Sequence, residues 1–282
     1  MSVIEKAPAK INLGLDIIGK RSDGFHELSM IMASVDLSDY VTVSELDQDD
    51  IIVESNSCKL PLNNRNDVYQ AAVLLKQKFG ISKGVHIVLD KKIPICAGLG
   101  GGSSDAAAVL RALNTLWQLN LSWDELIEIG FEIGSDVPYC LKGGYAFITG
   151  KGEIVESLET SFSAWLVLVK PDFGISTRTV FAEINPGTIK RVDITSLKQA
   201  VLANSYDDIL RFMGNSLEDI SIARRPEIQK IKDRMLNSGA DAALMTGSGP
   251  TVFAVCRNER CAERIVNAMR GFCKEVYKVR IL

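Results

Sequence analysis

The chain has 282 residues, 46% apolar and 24% charged, with a net charge of −3 at neutral pH, totals that describe an ordinary globular protein of one large or two ordinary domains. A mildly acidic chain lacks the broad basic footprint of a nucleic-acid binder, so any phosphate-bearing ligand has to be held by local devices. No apolar run approaches the ~18 residues of a membrane helix, and the start, MSVIEKAPAKINLGL, has no apolar signal core; a cytoplasmic protein with neither membrane nor nucleic-acid partner is expected.

In chain order, APAKINLGL reads as a strand in which alternation puts Lys10 and Asn12 on one side, open to solvent or to a site. VTVSELDQDDIIVES predicts strand, acidic turn, strand. NDVYQAAVLLKQKFG spaces Val68, Ala71, Ala72, Leu75 and Phe79 at helical intervals and stops at Gly80, a C-cap signal. GVHIVLDKKIP is a strand running into a glycine loop. From about Ser103 the pattern turns helical, with Ala107, Leu110, Leu113, Leu116 and Trp117 on one face. LSWDELIEIGFEIG is a second helix, opened by Ser122 and Glu125 at capping-box spacing.

DVPYCLKGGYAFITGKGEIVESL is expected to form strands and turns, and SAWLVLVKP a short buried strand. Residues 172–200, with Gly174, Pro186 and Gly187, are expected to be irregular. Two helical stretches (SYDDILRFMGNSLE and EIQKIKDRMLNSG), two strands (AALMTGSG and TVFAVCR), a helix (CAERIVNAMRGF) and a last strand (EVYKVRIL) follow. Both halves mix strands and helices, which gives an α+β protein of two domains, divided as 1–158 and 159–282. The six cysteines are scattered without a C-x-x-C, and there are only two histidines. Free buried thiols, rather than a zinc site, are expected.

PICAGLGGGSSDAAAVL places Gly98, Gly100, Gly101 and Gly102 in five positions, followed by Ser103 and Ser104 at a helix start. A strand, a glycine loop and a helix N-terminus aim several backbone N–H groups into one concavity, and the helix adds about half a positive charge. The lysine of a P-loop is absent, and Ser103 stands where G-x-G-x-x-G needs its third glycine. The segment is read as a phosphate loop of neither type. TGSGPTVFAV fits a tight turn or a ligand contact equally well. In IGSDVPY, Asp136 suits turn or cap chemistry as well as a site.

Together APAKINLGL, PICAGLGGGSSDAAAVLRALN and ALMTGSGPTVFAV, in that order, resemble the three motifs of the GHMP kinase superfamily. GKRSDGFHEL, KKIPICAGLGGGSSDAAAVLRALN and IGSDVPY look like the members that act on 4-diphosphocytidyl-2-C-methyl-D-erythritol. The resemblance implies ATP-dependent phosphorylation of the 2-hydroxyl of that compound, in the non-mevalonate route to isoprenoids. It implies a two-domain GHMP kinase fold, N-terminal ribosomal protein S5 domain 2-like and C-terminal ferredoxin-like, with the site between them.

By position, the resemblance implies that Pro94, Ile95, Cys96, Ala97, Gly98, Leu99, Gly100, Gly101, Gly102, Ser103 and Ser104 wrap the ATP phosphates. Lys10 and Asp136 flank the acceptor hydroxyl, and Asn12 and Thr177 lie near the erythritol. Phe25 and His26 recognise cytosine, Phe181 stacks on its other face, and Asn66 and Lys91 sit near the nucleotide. Mg²⁺ is expected with ATP, with Ser104 and Glu125 as candidate ligands. Glu125 qualifies if one helix carries it to the side facing Asp136; the alternative is its capping box. A monomer or homodimer is expected.

Phe25 stands where many members have tyrosine, keeping the stacking face without the hydroxyl. Asp105 stands where some have asparagine; it either faces the ligand or serves the helix start, and its first-turn position favours the latter. Another small-molecule GHMP kinase would leave Phe25, His26 and Phe181 idle, and a non-catalytic binder need not keep both Lys10 and Asp136.

Overall fold

Residues 1–185 and 187–282 are described in a computed structural model; Pro186, in the stretch expected to be irregular, lies outside the described residues. The chain opens with two long antiparallel strands, β1 (Ser2–Lys20) and β2 (His26–Leu46), paired from Ser2 opposite Ser44 to Lys20 opposite His26. β3 (Ile51–Ser55) lies parallel to β4 (Gly84–Asp90), which pairs with residues 40–46 of β2. β5 (Tyr145–Gly150) pairs with residues 28–33 of β2 and carries β6 (Ile154–Ser157).

Helices α1 (Asp67–Phe79), α2 (Gly101–Leu116) and α4 (Val137–Lys142) pack against this sheet, and α3 (Trp123–Ile133) packs on those helices. α2 is alanine-rich and buried along its length, so it lies close against β1. The second sheet is antiparallel, in the order β11 (Glu275–Arg280), β7 (Trp165–Lys170), β10 (Val252–Cys256), β9 (Ala242–Met245). β8, only Gly214–Asn215, returns to pair parallel with β1 at Gly14 and Leu15.

β1 is buried on both faces over its middle. Ala9, Ile11 and Leu13 share an apolar cluster with Leu166 and Leu168 of β7 and Phe253 of β10, joining the two sheets. Pairing shifts register between Asn12 and Gly14, and beyond it Leu15 and Ile17 belong to the cluster built on α2. Each buried leucine, isoleucine or phenylalanine side chain among them contributes about 1.5–3 kcal/mol.

Several expectations change. Lys10 and Asn12 do share a side, but that side is covered: they are 4% and 0% exposed. Residues 137–142, expected among strands and turns, are helix α4, with Pro138 in its first turn, where a missing N–H costs nothing. The stretch expected to be irregular holds α5 (Thr177–Ala182) and the start of α6 (Ile194–Leu202). The helical reading of SYDDILRFMGNSLE is interrupted: α7 (Tyr206–Phe212) and α8 (Glu218–Arg224) flank β8. α9 (Glu227–Asn237) and α10 (Glu259–Arg270) fall where the periodicity puts them. All six thiols are free, but Cys58 and Cys96 are exposed rather than buried.

Candidate active site

Three glycine-bearing segments, far apart in sequence, meet at Lys10. Its backbone N–H donates to Leu99 O at 3.0 Å. Gly98 (φ +73°) and Gly100 (φ +68°) take left-handed conformations that favour glycine. They also allow close approach: a β-carbon at Gly98 would sit 2.7 Å from Thr246 O, and one at Gly100 would sit 2.8 Å from Lys10 Cγ. The Asn12 N–H donates to Thr246 Oγ1 at 3.0 Å. Asn215 of β8 holds the third segment through Met245 O and Gly247 O, at 2.8 and 2.7 Å.

The Lys10 ammonium donates to Asn12 Oδ1 at 2.9 Å and lies 3.4 Å from an Asp136 carboxylate oxygen. Asp136 occupies the N-cap of α4, yet its side chain makes no cap bond, so the carboxylate stays available to the cleft. α4 is held from behind by the buried Tyr139 hydroxyl, which donates to Gly144 O at 2.7 Å and meets Ser34 Oγ at 2.9 Å.

A cavity of about 400 Å³ lies over these groups, lined by Lys10, Asn12, Asn66, Lys91, Asp136, Thr177, Phe181 and residues 94–103. A second, of about 860 Å³, shares Leu28, Ser135, Lys151, Thr177 and Phe181 with it and adds Phe25 and His26. The His26 and Phe181 rings are 5.5 Å apart, tilted by 56°. Phe25 is 61% exposed, its ring open to a partner. Burial, and then Lys20, hold the His26 imidazole below its usual pKa, which favours the neutral ring.

Two candidates fall elsewhere. Ser104 is buried with its hydroxyl donating to Pro8 O at 2.8 Å, and it is Ser103 that lines the cavity. Glu125 closes the capping box with Ser122, and α3 ends at Ile133 before a new helix begins after Asp136. The single helix that would have turned Glu125 toward Asp136 does not exist, and Glu125 does not line the cavity.

Asp105 is no helix cap: its carboxylate is bound by the Lys91 ammonium, which also binds Asp39. All three side chains are buried. Burial pushes the Asp105 carboxyl up to about 7, opposed by Lys91 and reinforced by Asp39. Burial would lower Lys91, but the two carboxylates together raise it, so it stays an ammonium.

Sequence reasoning missed two cleft groups and one residue behind the cleft. Asp67, in the first turn of α1, lines the smaller cavity, with a carboxylate oxygen 3.1 Å from where a Gly102 β-carbon would be. Burial raises its pKa, and no cation pairs with it among the described residues. Lys151, between two left-handed glycines, lines both cavities; its ammonium lies 5.1 Å from the Phe25 ring centroid and 3.6 Å from the Asp23 carboxylate. Asp39 lies behind the loop. The G-K-G turn was a visible signal for Lys151; Asp39 and Asp67 had none.

The GHMP kinases N terminal domain model matches residues 66–144, and the GHMP kinases C terminal model matches residues 197–275. The fold is that of a GHMP kinase, an enzyme that uses ATP as co-substrate on a small molecule. A Streptococcus mutans serotype c protein provisionally named 4-diphosphocytidyl-2-C-methyl-D-erythritol kinase is 72% identical over the whole of both chains. One of the same provisional name from Streptococcus agalactiae serotype Ia is 62% identical, also end to end. A crystal structure of 4-(cytidine 5'-diphospho)-2C-methyl-D-erythritol kinase superposes with a TM-score of 0.84 at 30% identity, over 99% of each chain. A homoserine kinase from Cytophaga hutchinsonii shares the fold at 22% identity (TM-score 0.80, 98% of this chain and 94% of that one). The chain belongs to the GHMP kinases and, among them, to the 4-diphosphocytidyl-2-C-methyl-D-erythritol kinase family. No helix among the described residues is long and apolar enough to cross a membrane.

Proposed function

We propose that this chain transfers the γ-phosphoryl group of ATP to the 2-hydroxyl of 4-diphosphocytidyl-2-C-methyl-D-erythritol, in the non-mevalonate route to isoprenoid precursors. The observation that carries the reading is the joined pair of cavities. The smaller one has a lysine–aspartate pair beside a glycine loop; the larger has an aromatic and imidazole lining and a lysine at the junction. A homoserine or mevalonate acceptor has no use for the larger cavity.

In this reading the amides of residues 98–102 and the N-terminus of α2 hold the phosphates. Lys10 balances charge on the transferring group and holds the Asp136 carboxylate at its side. Asp136 orients the hydroxyl and accepts its proton late, since a loose transition state needs little early deprotonation. Asn12 and Thr177 contact the tetritol, Phe25 and Phe181 face the cytosine, and His26 bonds to its edge. Lys151 is the cation available to the diphosphate. Asn66 and the wall by Lys91 adjoin the nucleoside of ATP. The halves meeting at this cleft are residues 1–158 and 159–282.

Mg²⁺ is part of the proposal. It is bound mostly through phosphate oxygens and a carboxylate or two, and no preformed cluster of three or more ligands exists among the described residues. Of the carboxylates lining the smaller cavity, Asp105 is bound by Lys91 and Asp136 is paired with Lys10. Asp67, without a cation, fits as the residue that would hold the ion. Bound there, Mg²⁺ would neutralise phosphate charge.

Coupled ADP release with a panel of acceptors tests the function. Turnover is expected with the cytidylyl substrate and not with homoserine, mevalonate or phosphomevalonate. Turnover with one of the others and none with the cytidylyl compound overturns it.

A further inference from the structure

We propose that Asp39, a residue outside the cleft, positions the nucleotide loop by acting through Lys91; this rests on the reading that the loop at residues 94–104 holds ATP. Asp39 is 1% exposed and absent from the cavity lining. Its Oδ1 accepts from the N–H groups of Lys92 and Ile93, the latter at 2.8 Å, where the chain enters the loop. Its Oδ2 accepts from Lys91 Nζ. The same ammonium donates to Asp105 Oδ2 in the second turn of α2, just past where the chain leaves the loop. One cation thus fastens the two feet of the span from Pro94 to Gly100.

Two carboxylates surround this single ammonium, so its charge is already answered and the cluster offers no free cation to a triphosphate. What it supplies is geometry. Phosphate affinity from backbone amides depends on their converging before the ligand arrives. A glycine-rich span left loose would have to be ordered at the moment of binding, and ordering costs about 1–2 kcal/mol per residue fixed. The cluster abuts the end of the glycine run: a β-carbon on Gly101 would lie 3.5 Å from Lys91 Nζ and 3.2 Å from Ile93 Cγ2. The ammonium therefore sits against the first residue of α2.

Asp39→Asn separates positioning from folding, because the amide keeps an oxygen for the two N–H groups and loses the acceptor for Lys91. Calorimetry should give a Kd for MgATP raised roughly tenfold while the Kd for CDP stays within about twofold, a split that general loosening would not produce. Lys91→Arg should retain most of the ATP affinity and Lys91→Met should not. These two decide the matter if Asp39→Asn does not fold. An unchanged Kd for MgATP in Asp39→Asn, equal losses for both ligands, or Lys91→Met binding as well as Lys91→Arg each overturns the proposal.

The underlying reading has its own control. Cys96 is exposed and lies on the cavity wall. MgATP must shield it from alkylation in the wild-type protein, read by peptide mass. If it does not, the loop is not the ATP site and the proposal falls with that reading. If Cys96 is shielded and the variants bind ATP normally, the positioning role alone is wrong.

Discussion

Lys10 shows what a buried ammonium needs. At 4% exposure it has given up most of its water, and desolvation of that kind is tolerated only with close partners. Asn12 supplies a hydrogen bond at 2.9 Å, and Asp136 supplies a charge at 3.4 Å, beyond good hydrogen-bond length. The slack lies on the Asp136 side, whose side chain is 31% exposed and open to a hydroxyl from the cleft. His26 depends in the opposite way on a neighbouring cation. Burial and Lys20 depress its pKa below 6.5, so at neutral pH the ring is uncharged, with one donor and one acceptor to offer the proposed cytosine. CDP affinity is therefore expected to be flat above pH about 7 and to fall as pH drops through the depressed pKa of His26. Lys20→Met removes a positive neighbour, so protonation becomes easier and the midpoint moves up. Calorimetry across pH, with the imidazole resonance followed by NMR, checks the sign; a midpoint that moves down contradicts it.

At the scale of elements, the helix around Glu125 shows both what a sequence reveals and where it stops. Capping-box spacing is local, and the box is present: Glu125 N–H donates to Ser122 Oγ, and Ser122 N–H donates to Glu125 Oε2 at 2.8 Å. Whether one helix reached Asp136 was not local, because Gly134, the C-cap of α3, is set extended (φ −174°) and the chain restarts at α4. α4 itself was hidden by strand-like Val137, Tyr139 and Cys140, although Pro138 was a helix-start signal. Helices α1 and α10 were legible because their apolar spacing and caps agree, and α2 through its apolar spacing alone. Lys91 with Asp39 and Asn12 with Thr246 were not, being 52 and 234 residues apart; no periodicity encodes such pairings. The glycine loop and the helix start after it were readable, but not which of its two serines faces the cavity. Glu125→Ala is accordingly expected to lower the melting temperature and leave the Mg²⁺ dependence of ATP binding unchanged. A shift in that dependence would restore Glu125 to the site.

For the whole molecule the question is what holds the loop of the first half against the glycine turn of the second. Part of the answer is Asp16 of β1, whose carboxylate receives the Arg191 guanidinium at 2.7 Å, the Val192 N–H at 3.1 Å and the Ser216 hydroxyl at 2.9 Å. The tighter joint is Gly98. Its missing side chain lets Thr246 O and Gly249 O approach to where a β-carbon would be 2.7 and 3.0 Å away, and both are backbone atoms that cannot swing aside. Gly98→Ala adds that clash to a left-handed φ of +73°, and should cost about 2 kcal/mol in chemical denaturation. Its effect should also reach the chemistry, since Thr246 carries the hydroxyl that accepts from the Asn12 N–H, and Asn12 in turn holds Lys10. Gly19→Ala is the control: nothing lies within 4 Å of its β-carbon position, so it should leave both stability and turnover near wild type. Equal losses from the two substitutions would mean that the halves are not joined through Gly98. A loss of stability at Gly98 with full turnover would mean that the joint does not support the lysine.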